Sequence, residues 1–119
     1  MEGDYINLEE LYKLSGNDPE FIEKMILVFV EETPKSFIEI KEAMVAGNRK
    51  QVSQIAHHLK TSAYFMGIQA LYNHAQKLEY IYRGYEEGDA ESLMKLIEES
   101  FNKASEELIF YINNMRGKS

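Results

Sequence analysis

Apolar residues recur every three or four positions along nearly the whole chain, which is the period of an amphipathic α-helix. Start and stop signals divide the sequence into predicted helices at about 8–14, 19–32, 34–46, 49–66, 68–86 and 90–115. Almost no sequence is left for strands. Long amphipathic helices joined by short turns predict an all-α fold, an antiparallel four-helix bundle with an additional short N-terminal helix.

Capping residues mark the predicted helix boundaries. At three predicted helix starts, a side chain can accept a hydrogen bond from a backbone N–H group of the first turn. A typical partner residue follows each cap: Asn7 is followed by Glu10, Asp18 by Pro19, and Asn48 by Gln51. Gly67 is suited to end the helix that begins near residue 49. Thr33-Pro34 repeats the pattern of a cap followed by proline, so we expect a break between two helices there.

The apolar stripes predict the core. Two positions allow alternatives, because Ile40 or Ile38, and Leu96 or Ile97, could each complete a stripe. Leu27 and Val28 are expected to be buried, and the alternative is that either adds apolar surface near the second helix. The expected inward residues are Ile22, Met25, Ile26, Phe29, Val30, Phe37, Ala43, Met44, Leu71, Ala75, Leu78, Tyr82, Leu93, Phe101, Ala104, Leu108 and Tyr111.

Composition limits the class of protein. A chain of 119 residues with 45% apolar content fits one compact domain, which we place at 1–119, with a monomer as the expected state. The net charge of −7 and the scattered basic residues argue against nucleic acid as a partner. Cysteine is absent, the N-terminus is acidic, and the apolar run at 25–30 is too short to span a bilayer. These features predict a cytoplasmic protein without membrane insertion.

Candidate chemistry is concentrated in the helix predicted at 49–66. At about 100° per residue, His57 lies about 140° from the centre of the apolar stripe, near Lys60, Thr61 and Tyr64, which predicts one exposed patch. His58 lies about 100° further round, on a flank without a cation. A neutral imidazole is nucleophilic near neutral pH, so a solvent-facing histidine can carry a chemical group. An incidental surface histidine is the alternative, and if one histidine is functional, Lys60 favours His57.

The surrounding sequence resembles the histidine-containing phosphotransfer (HPt) domain. The matching residues are the run Ala56-His57-His58-Leu59-Lys60-Thr61-Ser62, Gly67 ten positions after His57, and the pair Leu78-Glu79. Upstream, Asp18-Pro19 and Thr33-Pro34 look like the start and the terminating proline of the family's second helix. The resemblance covers nearly the whole chain.

This resemblance implies a phosphorelay intermediate. His57 would accept the phosphoryl group, through the ring nitrogen farther from the backbone, from a receiver-domain phosphoaspartate and pass it to another receiver. Lys60 would lie near the phosphoryl oxygens. Glu79 would orient the imidazole, and the alternative is a glutamate that is simply solvated on the helix surface. Thr61, Tyr64 and Gly67 would belong to the docking surface. Thr61 replaces the family's usual glycine and Tyr64 is bulkier than usual, so partner choice is affected more than chemistry.

The implied partners are response-regulator receiver domains, a hybrid sensor histidine kinase, or both. The receiver would contribute the aspartate and Mg²⁺, whereas no cofactor or metal site is expected in this chain. No nucleotide-binding segment is visible, so autonomous kinase activity is not expected.

Two other functions are alternatives. A non-transferring helical adaptor would keep the fold and bind receivers without accepting phosphate. A metal-binding four-helix bundle is the other alternative, but the Glu-x-x-His pattern is absent, because Gln54, Ile55 and Leu71 stand three residues before the histidines.

Overall fold

The computed structural model describes residues 3–117, and in this range the chain forms five helices and no sheet. They are α1 (Glu9–Ser15), α2 (Pro19–Val45), α3 (Arg49–Phe65), α4 (Gln69–Arg83) and α5 (Ala90–Gly117). Short turns join the four long helices into an antiparallel bundle measuring 48 × 21 × 21 Å, with α1 packed beside α2 and α3. The predicted all-α bundle with a short N-terminal helix is confirmed. The predicted domain, 1–119, includes residues 1–2 and 118–119, which lie outside the described range.

One hydrophobic core runs through the bundle and receives side chains from all five helices. Of the alternative stripe positions, Ile40 and Ile97 are fully buried in the core, whereas Ile38 and Leu96 face solvent. Val28 is 45% exposed, so its predicted burial is wrong. It lies on the side of α2 that borders a groove against α3 rather than on the stripe that meets the core.

α2 runs without interruption through Thr33 and Pro34, so the predicted break is wrong. Proline lacks an N–H group and costs an isolated helix interior about 3 kcal/mol. Here the buried stripe continues across the proline, because Phe29, Thr33 and Phe37 all face the core. Phe101 of α5 packs against both phenylalanines, with ring centroids 5.5 and 5.3 Å apart. Tertiary packing therefore holds the two halves in one helix, with Pro34 on the exposed side.

Two of the three predicted caps form as expected. Asp18 accepts from two first-turn N–H groups of α2, and Asn48 accepts from the backbone of Gln51 in α3. The capping box at Asn7 is wrong. Its side chain accepts from the N–H of Glu9, but its own backbone N–H donates to the carbonyl of Met66 instead of reaching Glu10.

The end of α4 also differs from the prediction, which placed it at Glu86. The helix ends at Arg83 because Gly84 adopts a left-handed conformation, with φ of 81°. The N–H groups of Gly84 and Tyr85 then donate to the last turn of α4. Asp89 begins α5 by accepting from the backbone of its first turn.

Gly67 fixes the turn between α3 and α4, and the segment before α1 is packed directly on it. Its φ is +64°, and a Cβ at this position would lie 1.9 Å from the carbonyl oxygen of Asn7. The hydrogen bond from Asn7 N–H to Met66 O spans the same contact, at 3.3 Å. Only glycine fits both the backbone conformation and the close approach.

We therefore expect Gly67→Ala to destabilise the protein far more than Gly84→Ala, its matched control. Both glycines have positive φ, but the space around a Cβ at Gly84 is open. In urea unfolding, the free energy of unfolding should fall by about 1 kcal/mol in Gly84→Ala and by about 3 kcal/mol or more in Gly67→Ala. Equal decreases in the free energy of unfolding would show that the close contact with Asn7 does not contribute to stability.

Candidate functional site

His57 lies on the exposed side of α3, as the helix geometry predicts. The opposite side of α3 packs into the core through Val52, Ala56, Leu59 and Ala63. The His57 side chain remains 53% exposed. The helix therefore anchors the imidazole by its backbone while leaving one edge of the ring open to an incoming group.

The inner edge of the His57 ring contacts Glu79 of α4. Nδ1 lies 3.1 Å from Glu79 Oε2, and the Glu79 side chain is only 4% exposed. An ionised carboxylate can only accept, so this contact assigns the ring proton to Nδ1 and leaves a lone pair on the outer nitrogen, Nε2, when the ring is neutral. The arrangement is that of a nucleophile held by its second nitrogen.

Lys60 also turns inward toward Glu79. Its Nζ lies 2.9 Å from Glu79 Oε1 and 5.9 Å from the centre of the Tyr80 ring, and its side chain is only 15% exposed. The prediction that Lys60 belongs to an exposed patch is therefore wrong for its side chain. A helical projection places the Cβ atom, whereas a long lysine side chain follows the nearest buried carboxylate. The short distance between the ammonium and the carboxylate makes this a buried ion pair.

Arg83 completes the cluster, and the sequence reasoning missed it. Its Nε lies 2.7 Å from Glu79 Oε2, the same oxygen that contacts His57. Glu79 and Arg83 are four residues apart on α4, a spacing at which helical ion pairs form. That spacing was a visible signal, but its link to His57 depends on how α3 packs against α4.

These contacts keep Glu79 ionised. Burial alone raises the pKa of this carboxyl, but the contacts with Lys60, Arg83 and His57 outweigh burial and hold the pKa below its usual value of 4.5. Two cationic side chains, Lys60 and Arg83, therefore share one carboxylate. With a neutral imidazole, the cluster of His57, Lys60, Glu79 and Arg83, called here the Glu79 cluster, carries one excess positive charge.

The three residues predicted to contact a partner lie in different surroundings. Thr61 is exposed, and its hydroxyl donates to the backbone carbonyl of His57 at 3.2 Å. Tyr64 is 50% exposed, and its ring contacts those of Phe65 and Tyr72. Gly67 lies beneath the backbone of Asn7. The docking roles of all three stay predictions.

His58 lies on the other flank of α3, as predicted, beside Ser62 and Phe65. All three line a groove between α2 and α3 that Val28 borders on the α2 side. The groove contains one charged residue, Glu32, and no lysine or arginine. The two adjacent histidines therefore differ in surroundings, since only His57 is held by a carboxylate flanked by cations.

Residues 3–117 contain neither a candidate metal site nor a candidate membrane span. No three histidine, cysteine, aspartate or glutamate side chains of this range are grouped so that they could hold a metal ion. None of the helices in this range combines the length and the hydropathy that crossing a membrane requires.

Comparison with known proteins agrees with this fold. The family model described as Hpt domain matches residues 24–108, which contain the whole Glu79 cluster. The crystal structure of histidine-containing phosphotransfer protein B (HptB) from Pseudomonas aeruginosa PAO1 superposes with a TM-score of 0.84 at 18% identity. The match covers 95% of this chain and 98% of that one. A search of curated proteins found no match.

We expect the charge of Glu79 to stabilise the fold in a pH-dependent way. Because its folded pKa is lowered, its contribution is complete above 4.5 and is lost as the pH falls through the lower folded value. At neutral pH, Glu79→Gln should reduce the free energy of unfolding by about 2 kcal/mol, since it leaves Lys60 buried without a counter-charge. The difference from wild type should shrink steadily below about pH 4.5.

Urea unfolding between pH 3 and pH 8 measures this difference. Glu99→Gln is the matched control, because Glu99 also pairs with a cation four residues later but is exposed. It should change the free energy of unfolding by less than about 0.5 kcal/mol at each pH. A Glu79→Gln difference that persists unchanged at low pH would contradict the electrostatic account.

Proposed function

The chain belongs to the Hpt domain family, and from this premise we propose that it is a phosphorelay intermediate that carries a phosphoryl group on His57. Hpt proteins are phosphotransfer intermediates of two-component signalling rather than kinases. The group would come from a receiver-domain phosphoaspartate and pass to, or from, another receiver. The partners would be response regulators, a hybrid sensor histidine kinase, or both.

The observation that carries this proposal is the contact of His57 Nδ1 with Glu79 Oε2, which leaves Nε2 as the outward nitrogen. The Nε2 lone pair attacks phosphorus, and an N–P bond forms as the bond from phosphorus to the aspartyl oxygen breaks. The aspartate leaves as a carboxylate with the bonding electron pair. The Nδ1 proton stays on the ring, which gains a positive charge beside Glu79. Transfer to the next receiver is the reverse sequence.

The charges of the site suit this step. Glu79 stabilises the imidazolium, while Lys60, held at Oε1, offsets the carboxylate that would otherwise repel a phosphoryl group. Phosphoryl transfer depends mainly on alignment and on charge stabilisation. The receiver would contribute the aspartate and Mg²⁺, so this chain needs only a well-held nucleophile in a positive setting. A cytoplasmic location and a monomeric state stay predictions.

We expect label from a ³²P-phosphorylated receiver domain to appear on the wild type and on His57-retaining variants alone. The bond should be acid-labile and alkali-stable, as for phosphohistidine. His57→Gln should fall to background, whereas the matched variant His58→Gln should be labelled like the wild type. Equal labelling of His57→Gln and wild type would refute the assignment. Binding of the receiver without any labelling would favour the non-transferring adaptor.

Receiver docking is proposed to use the exposed side of α3 around the histidine. Thr61 and Tyr64 follow His57 by one and two helical turns, so they share its face. Tyr64 presents half of its ring to solvent, and aromatic residues of this kind often dominate binding energy. Gly67 would contribute indirectly, because it positions the segment before α1 at the end of this face.

The double variant Tyr64→Ala, Thr61→Gly should weaken receiver binding by about tenfold, which is the usual size for loss of one aromatic contact. Phe110→Ala is the matched control, since Phe110 is an exposed aromatic residue on α5. Isothermal titration calorimetry with an unphosphorylated receiver and Mg²⁺ measures both. Wild-type affinity in the double variant would show that docking avoids this face.

A further inference from the structure

Arg83 uses only part of its hydrogen-bonding capacity within the Glu79 cluster. Its Nε donates to Glu79 Oε2, and no other residue in the range 3–117 accepts from its terminal nitrogens. The side chain is 39% exposed, compared with 15% for Lys60. The guanidinium is thus anchored at one nitrogen, while two terminal NH₂ groups remain available to an anion.

The charge balance also indicates an anion. A single buried carboxylate needs one counter-charge, yet Lys60 and Arg83 both contact Glu79. Lys60 is the more buried of the two and contacts Oε1, away from His57. Arg83 shares Oε2 with the imidazole, so the excess positive charge lies beside the ring.

We propose that Arg83 binds the phosphoryl group on His57, with its Nε held by Glu79 and its terminal N–H groups donating to the phosphoryl oxygens. The inference rests on the proposed function and assigns the second cation of that site. A guanidinium suits this role because its planar fork matches the spacing of phosphoryl oxygens. Phosphorylation then adds negative charge where an arginine is already anchored, so little side-chain ordering is required.

The test uses the full chain phosphorylated by phosphoramidate, a small donor that needs no receiver. The ³¹P chemical shift of the phosphohistidine is followed against pH. A cation in contact with the phosphoryl oxygens lowers the titration midpoint of that group. Arg83→Gln should therefore raise the midpoint by roughly half a pH unit, as expected for loss of one partly exposed ion pair, and Arg83→Lys should restore part of the shift.

Arg116→Gln is the matched control, because Arg116 also donates through Nε to a glutamate but lies on α5, outside the Glu79 cluster. It should titrate like the wild type. A wild-type midpoint in Arg83→Gln overturns the inference. The inference is also overturned if the midpoint is unchanged and only the ring tautomer of unphosphorylated His57 differs, because Arg83 would then act only through Glu79.

The outcome is separable from that of the proposed function. If phosphoramidate labels His57 but no phosphorylated receiver does, the relay assignment fails while the ³¹P titration still decides the role of Arg83. If phosphoramidate labels another residue of the wild type instead of His57, the inference about Arg83 is overturned directly.

Discussion

The Glu79 cluster depends on one buried carboxylate. Glu79 is fixed in α4 among side chains that pack into the core, and three groups from two helices meet on its two oxygens. The orientation of the His57 ring is therefore set by the packing of α3 against α4 rather than by local flexibility of an exposed side chain. The turn between these helices is in turn fixed by Gly67 and the backbone of Asn7. The geometry of the site therefore depends on the packing of the core.

Burying a carboxylate is costly, and the structure offsets that cost with more positive charge than stability alone requires. An ion pair withdrawn from water often contributes little to stability, because desolvation cancels most of the Coulombic gain. Under the proposed function, the second cation on Glu79 would have a chemical role. It would leave the exposed side of α3 positive before a phosphoryl group arrives, while the carboxylate would stabilise the imidazolium. The same balance of charge would suit an exposed nucleophile, His57, beside a lysine and an arginine that both contact Glu79.

The sequence was informative where structure is local. The caps at Asp18 and Asn48 and the outward position of His57 follow from short-range hydrogen bonding and helical period. The predicted break at Pro34 was wrong, because α2 is kept continuous by the packing of Phe101 against Phe29 and Phe37. That packing joins residues far apart in the chain.

In the site, too, local features could be predicted from the sequence and long-range contacts could not. The Cβ of Lys60 could be placed from the sequence, but the direction of its ammonium depends on a carboxylate on another helix. Arg83 had a recognisable spacing from Glu79, but its link to the site became visible only when both were placed beside His57.

The most direct test of the proposed role of His57 is long-range ¹H–¹⁵N NMR of the phosphorylated, histidine-labelled protein, which identifies the modified nitrogen. Phosphorus on Nε2 of His57, with Nδ1 still protonated, is the expected result; phosphorus on Nδ1 would contradict the account, because that nitrogen is the one Glu79 holds.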